Sequence, residues 1–234
     1  MRNTMPATSI LSIVIAFAFM SAGAAIARAA NEKIQDHEKQ AQSSTYRLDT
    51  DASRIFVKVG SATLIGHQHG VEARLKSGKL ALGGGGELVF DMGSFTADTA
   101  ESRKRAGLAG EKISASDAKK VTQNMRGAEV LDVARFPTAT FQITAIKAMD
   151  GQAAGPPSLY QLEGNFTLHG TDKKLQLKAK LEGAGPQGQM KLIGSFTIKQ
   201  SEYGIKPYST FGGIVKVADE LEITGDLLLI PTAQ

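Results

Sequence analysis

From Tyr46 onward, apolar and polar residues alternate at period two, the pattern of strands with one buried and one wet face. In Arg54 to Val59 the apolar set is Ile55, Val57 and Val59 against Arg54 and Lys58, while Phe56 puts an aromatic on the second face. The second half alternates more cleanly. Tyr160, Leu162, Phe166 and Leu168 oppose Gln161, Glu163, Asn165 and Thr167, and Leu175, Leu177, Ala179 and Leu181 oppose Lys174, Gln176, Lys178 and Lys180. Met190, Leu192, Phe196 and Ile198, then Leu221, Ile223, Leu227 and Leu229, continue the pattern. Gly170-Thr171-Asp172, Gly183 to Gly188 and Gly204 mark turns, and Gly164 and Gly194 inside strands predict bulges or bends. About eight antiparallel strands follow, packed as a sandwich or closed into a barrel, and closure removes the edges that invite aggregation. Spacing alone does not choose between them.

Ala115 to Met125 breaks the alternation and predicts a short helix, with Ser116 as N-cap and Val121 and Met125 on one face. Asp98 to Glu111 is charged and glycine-containing, which suits a loop or a second short helix. Before the strands, residues 1–29 read as an export signal: Arg2, then apolar Ile10 to Met20, then Ala27-Arg28-Ala29 at a cleavage site before Ala30. Ala25-Ile26-Ala27 offers a second cleavage site, and an uncleaved anchor is the other reading of this stretch. Residues 30–45 are polar and read as a flexible linker, leaving residues 46–234 as one β-domain. The expected location is the periplasm or the exterior.

There is no cysteine, hence no disulfide framework and no thiolate nucleophile. Loss of residues 1–29 removes Arg2 and Arg28 but no acid, leaving 25 basic (27 less 2) against 23 acidic residues, too even a balance for nucleic acid.

The inward-facing set is Ile55, Val57, Val59, Leu88, Phe90, Phe141, Ile143, Leu162, Phe166, Leu175, Leu177, Phe196, Ile223 and Leu227. These side chains line an apolar cavity or fill a packed interior; alternation reports only which face is dry. With no Trp and 6% aromatic residues, a cavity would be mainly aliphatic, suited to flexible hydrocarbon rather than a stacked ring. His67 and His69, two apart, would project from one face of an extended segment and could bind zinc or copper, with His169 as a third ligand. Arg103-Lys104-Arg105, joined by Lys119 and Lys120, offers charge for an anionic headgroup or a pyrophosphate, or is simply solvated. Gly83 to Gly86 is followed by Glu87 rather than the Lys of a phosphate loop, and reads as a hairpin tip. No G-x-S-x-G setting and no spaced carboxylate pair points to catalysis, and His169 reads as a strand terminus.

Several short motifs occur in a telling order. Tyr46-Arg47-Leu48-Asp49 precedes Ser53-Arg54-Ile55; Leu88 to Thr99 holds Ser94, Asp98 and Thr99; Met125 to Phe141 carries Phe136-Pro137 and Phe141. Leu162, Gly164, Phe166, Thr167, Leu168 and Gly170 follow, then Phe196 to Ile205. Over Tyr46 to Ile230 this series resembles the YceI-like family. The resemblance implies an all-β, antiparallel lipocalin-like barrel of about eight strands with one or two short helices. It further implies an exported, non-catalytic protein holding a polyisoprenoid or isoprenoid quinone, with no required cofactor, brief membrane-surface contact and a homodimer among the states allowed. Gln200 stands near the family's usual Arg, Lys104 replaces the acid after Arg103, and His67-Gln68-His69 is similar to a G-H-x-H subset of the family. The competing readings are an exported metal-binding protein using His67 and His69, and a structural β-domain with a packed interior.

Overall fold

A computed structural model describes residues 45–64, 66–110, 113–149, 158–183 and 185–232. The export signal and residues 30–44 of the linker lie outside the described residues, and Thr45 already belongs to the first strand. In chain order the elements are β1 (Thr45–Ser61), β2 (His69–Ala73), β3 (Leu75–Ala81), β4 (Gly86–Asp91), β5 (Thr96–Ala97), α1 (Ala100–Arg105) and α2 (Ala115–Arg126). They continue with β6 (Thr138–Ala148), β7 (Leu159–Leu168), β8 (Thr171–Gly183), β9 (Met190–Lys199), β10 (Ser209–Thr210) and β11 (Val215–Pro231).

The sheet closes because β1 pairs with β11 from Tyr46↔Pro231 to Ser61↔Val217. On its other side β1 meets β2 through Ile55 to Val59 and β3 through Thr45 to Arg47, so β2 and β3 act as one stave broken at Arg74. The barrel therefore has eight antiparallel staves, β1, β2/β3, β4, β6, β7, β8, β9 and β11, with β5 and β10 as short additions. Closure decides between sandwich and barrel, since every long strand finds two neighbours.

Two of the four register irregularities have plain local causes. Between Asp49 and Arg54, β1 bulges against β11; Asp49 Oδ1 accepts from the amides of Asp51 and Ala52 at 3.0 Å. Ser53, fully buried, turns its Oγ to accept from the Leu228 amide at 2.9 Å, satisfying a donor that the bulge takes off the ladder. Between β6 and β7 the register slips at Ile143/Ala145, opposite Gly164, where an added Cβ would sit 2.1 Å from Gln142 O. Gly194 is different: both neighbouring strands run through it in unbroken register, so it is not a bulge. Its lack of a side chain leaves room for Leu177 and Ala179, at 3.0 and 3.3 Å from a built Cβ.

α2 begins at Ala115, as its spacing predicts, but its cap lies two residues before the expected one. Ser114, not Ser116, is the N-cap, accepting from the Asp117 amide. The charged stretch before it contains α1, capped by the Thr99 side chain accepting from the Ser102 amide.

Candidate functional site

At the barrel end that carries Ser61, His69, Leu168 and Val215, the interior opens into a cavity of about 420 Å³, within the range of about 300–1,000 Å³ typical of small-molecule sites. Its walls come from Ile55, Val57 and Val59 on β1, Phe90 on β4, Phe166 on β7, Phe196 on β9 and Ile223 on β11, all placed inward by strand alternation. Leu88, Phe141, Leu162, Leu177 and Leu227 lie deeper, around a void of only about 40 Å³. Ile143 is buried and Leu175 half-buried, and neither borders either space. One dry face thus serves two purposes, cavity wall near the open end and packed core at the other.

A floor of aromatic rings separates them. Phe166 meets Phe90, Phe196 and Tyr203 edge to face at centroid distances of 5.8, 5.9 and 5.8 Å, and Phe141 below at 6.5 Å, all within the favourable range for such pairs. Phe90 and Phe196 border both spaces. At roughly 30 Å³ per water-sized group, the open space takes about 14 carbon groups, or about three isoprene units.

α2 and the segment after it close one side. Val121, Met125, Val130 and Leu131 line the cavity, joined by Ile205 and Tyr208 from the segment after β9. Helical spacing marks Val121 and Met125 in the sequence; Val130, Leu131, Ile205 and Tyr208 sit in irregular segments, where no periodicity points inward. Gln200 is buried beside them and donates from Nε2 to Ala218 O at 2.8 Å, so this position is neutral and locally satisfied.

Polar chemistry gathers at the rim. His69 Nδ1 lies 2.7 Å from Asp98 Oδ2, while Asp98 Oδ1 accepts from Arg103 NH1 at 2.9 Å and from the Gly70 amide at 3.3 Å. Arg103 NH2 donates to Leu108 O at 2.9 Å. Burial alone would raise the Asp98 carboxyl, but the bonds from His69, Arg103 and the Gly70 amide outweigh it and hold this group below the usual carboxylate range. Gly70 permits the arrangement, since a Cβ there would meet Ser102 O at 2.4 Å, and Ser102 Oγ donates to Gly70 O at 2.9 Å.

These contacts redraw two expectations. His67 and His69 both border the cavity, but His69 Nδ1 is committed to Asp98. His169 sits at the β7–β8 turn, its ring 4.3 Å from that of Phe136 and outside the cavity. Among the described residues no group of three or more His, Cys, Asp and Glu is placed to hold a metal ion. The five basic residues do not form one patch either. Arg103 is buried, and Arg105 pairs with Glu101 and Asp226 at 3.1 and 2.6 Å above the Phe56 ring, leaving Lys104, Lys119 and Lys120 exposed.

A model of the YceI-like domain matches residues 46–229. A UPF0312 protein of Pseudomonas aeruginosa is 27% identical over 176 residues, covering 71% of this chain and 79% of its own. Protein YceI of Salmonella arizonae is 40% identical over 63 residues, 27% of this chain and 29% of its own. Among solved structures, a polyisoprenoid binding domain from Saccharophagus degradans, described as implicated in plant cell wall breakdown, superposes with a TM-score of 0.55 at 17% identity. That match covers 80% of this chain and 98% of the other, and shows a shared fold.

Proposed function

Because this chain belongs to the YceI-like family, we propose that it sequesters a polyisoprenoid, isoprenoid quinone or similar apolar chain in the barrel cavity, outside the cytoplasm and without turnover. The observation that carries this reading is the open apolar cavity of about 420 Å³ above the aromatic floor. Hydrocarbon gains only by leaving water, and about 14 buried carbon groups at about 0.8 kcal/mol each give roughly 11 kcal/mol before the cost of ordering and association. The Saccharophagus degradans domain, named for polyisoprenoid binding, lends the same reading support. Export rests on the apolar stretch and small-residue site within residues 1–29.

Delivery of so insoluble a ligand calls for contact with a bilayer, and the rim is built for it. Leu64, Phe211 and Ile214 are exposed at 105%, 76% and 58% in the two loops beside the mouth. The Ala62 amide donates to Lys216 O at 2.8 Å and ties those loops together. Lys206 and Lys216 lie in or beside these loops, where they can meet an anionic leaflet.

Native mass spectrometry of the protein purified from its source cell is the direct test. The expected spectrum shows a chain beginning at Ala30 with a fixed mass increment that organic extraction removes. A protein that carries no lipid, and takes up none when offered a prenyl chain, overturns the reading.

A further inference from the structure

His69 is where the barrel turns a buried charge network toward the cavity. The side chains of Asp98, Arg103 and His69 are 0%, 8% and 16% exposed. Asp98 is ionised and so accepts only, which places a proton on His69 Nδ1. Arg103 NH1, 2.9 Å from Oδ1 of the same carboxylate, supplies Asp98 with a cation of its own. In the tautomer with its proton on Nδ1, Nε2 is the acceptor, and no bond to it occurs among the described residues. Val59 and Val71 border the same space on either side of it in the strands. Of the other polar rim groups, Asn124 donates to Tyr208 Oη at 3.2 Å, Ser114 Oγ to Asp117 at 2.7 Å, and Gln200 to Ala218 O, while His67 and Lys216 also border the space.

We propose that His69 Nε2 accepts a hydrogen bond from the terminal hydroxyl of a short prenyl alcohol whose tail lies in the cavity with its end against the Phe166 floor. This rests on the apolar-chain reading above and adds a head-group preference to it. The geometry favours a short chain, because about three isoprene units fill the space between rim and floor. A longer chain puts part of itself outside the mouth. An acceptor left without a donor costs free energy, so a chain that ends in a hydroxyl binds more tightly than the hydrocarbon of the same length. Asp98 acts as a positioning residue, fixing the tautomer and the ring plane from behind.

The test is competition binding to the full chain with farnesol, its methyl ether and the hydrocarbon farnesene, which share one tail. Wild type is expected to bind farnesol about fivefold more tightly than the ether or the hydrocarbon, the size of one neutral hydrogen bond. His69→Phe keeps a ring in the wall but has no acceptor, and is expected to erase that ratio. His69→Gln, whose amide oxygen accepts, is expected to restore part of it, and thermal melts of both variants check folding. Equal binding of alcohol and ether in wild type, or a ratio indifferent to His69→Phe, overturns the anchor while leaving the cavity reading intact. Failure of all three compounds to bind wild type overturns both.

Discussion

At Asp98 the chain holds an ionised carboxylate in a left-handed backbone conformation, φ 57°, with its side chain out of solvent. Asp and Asn both tolerate that conformation, so Asp98→Asn removes the charge without disturbing the backbone. We expect the variant to lose about 2 kcal/mol at neutral pH, the size of a hydrogen bond to a charged group. The pH dependence has a definite sign. Because folding holds the Asp98 carboxyl below its ordinary value, its stabilisation is complete above about pH 4, the unfolded range, and fades as pH falls through the lower folded value. Urea unfolding of both proteins from neutral to acid pH is expected to show a constant gap that narrows only below about pH 4. A gap that widens on acidification contradicts the assignment. Sequence marked His69 through its spacing from His67, yet paired it with the wrong partner. Asp98 lies 29 positions away in the chain, a separation at which spacing says nothing about which side chains meet.

α2 was legible as a helix because its apolar spacing departs from the strands around it, but its cap was misplaced, since Ser114 and Ser116 are both competent caps. What the sequence leaves out is how the helix is held. None of its residues is buried, and its attachment runs through side-chain bonds. Thr122 Oγ1 accepts from the Ala97 amide at 3.0 Å, Arg126 Nε donates to Phe95 O at 2.7 Å and Arg126 NH2 to Thr96 Oγ1 at 3.2 Å. A helix held this way opens more readily than the closed ladder beneath it, and it covers the cavity with Val121 and Met125. Arg126→Ala removes two of these bonds, at about 1 kcal/mol each. Hydrogen exchange is expected to rise in residues 115–126 while the amides of β7 to β9 keep their protection, and bound lipid is expected to leave faster. Uniformly faster exchange across the barrel would show that the helix is part of the cooperative core instead.

For the molecule as a whole, alternation predicted antiparallel strands with one dry face, left sandwich or barrel to the family resemblance, and stopped at the question of hollow or solid. The reason is visible in β1, β4 and β9, where the same period of two serves both halves: Ile55, Phe90 and Phe196 border the open cavity above and the small void below. Whether facing side chains meet across the barrel depends on their sizes at one level, a property no single strand displays. Here the level is set by Phe166, whose ring touches Phe90, Phe196 and Tyr203 beside it and Phe141 beneath. If those rings limit depth, the affinity gained per added isoprene unit should stop at about three units in wild type, because further carbons find no apolar surface inside. Phe166→Ala removes the hub and joins the two spaces. It is expected to lower stability by about 3–5 kcal/mol, and Phe166→Leu, which keeps more of the volume, serves where the alanine variant is too weak. Titration with geraniol, farnesol and geranylgeraniol is then expected to show affinity levelling off after farnesol in wild type and still rising to geranylgeraniol in the variants. A wild-type protein that gains equally from every added unit would mean that the rings part on binding and that the floor does not measure the chain.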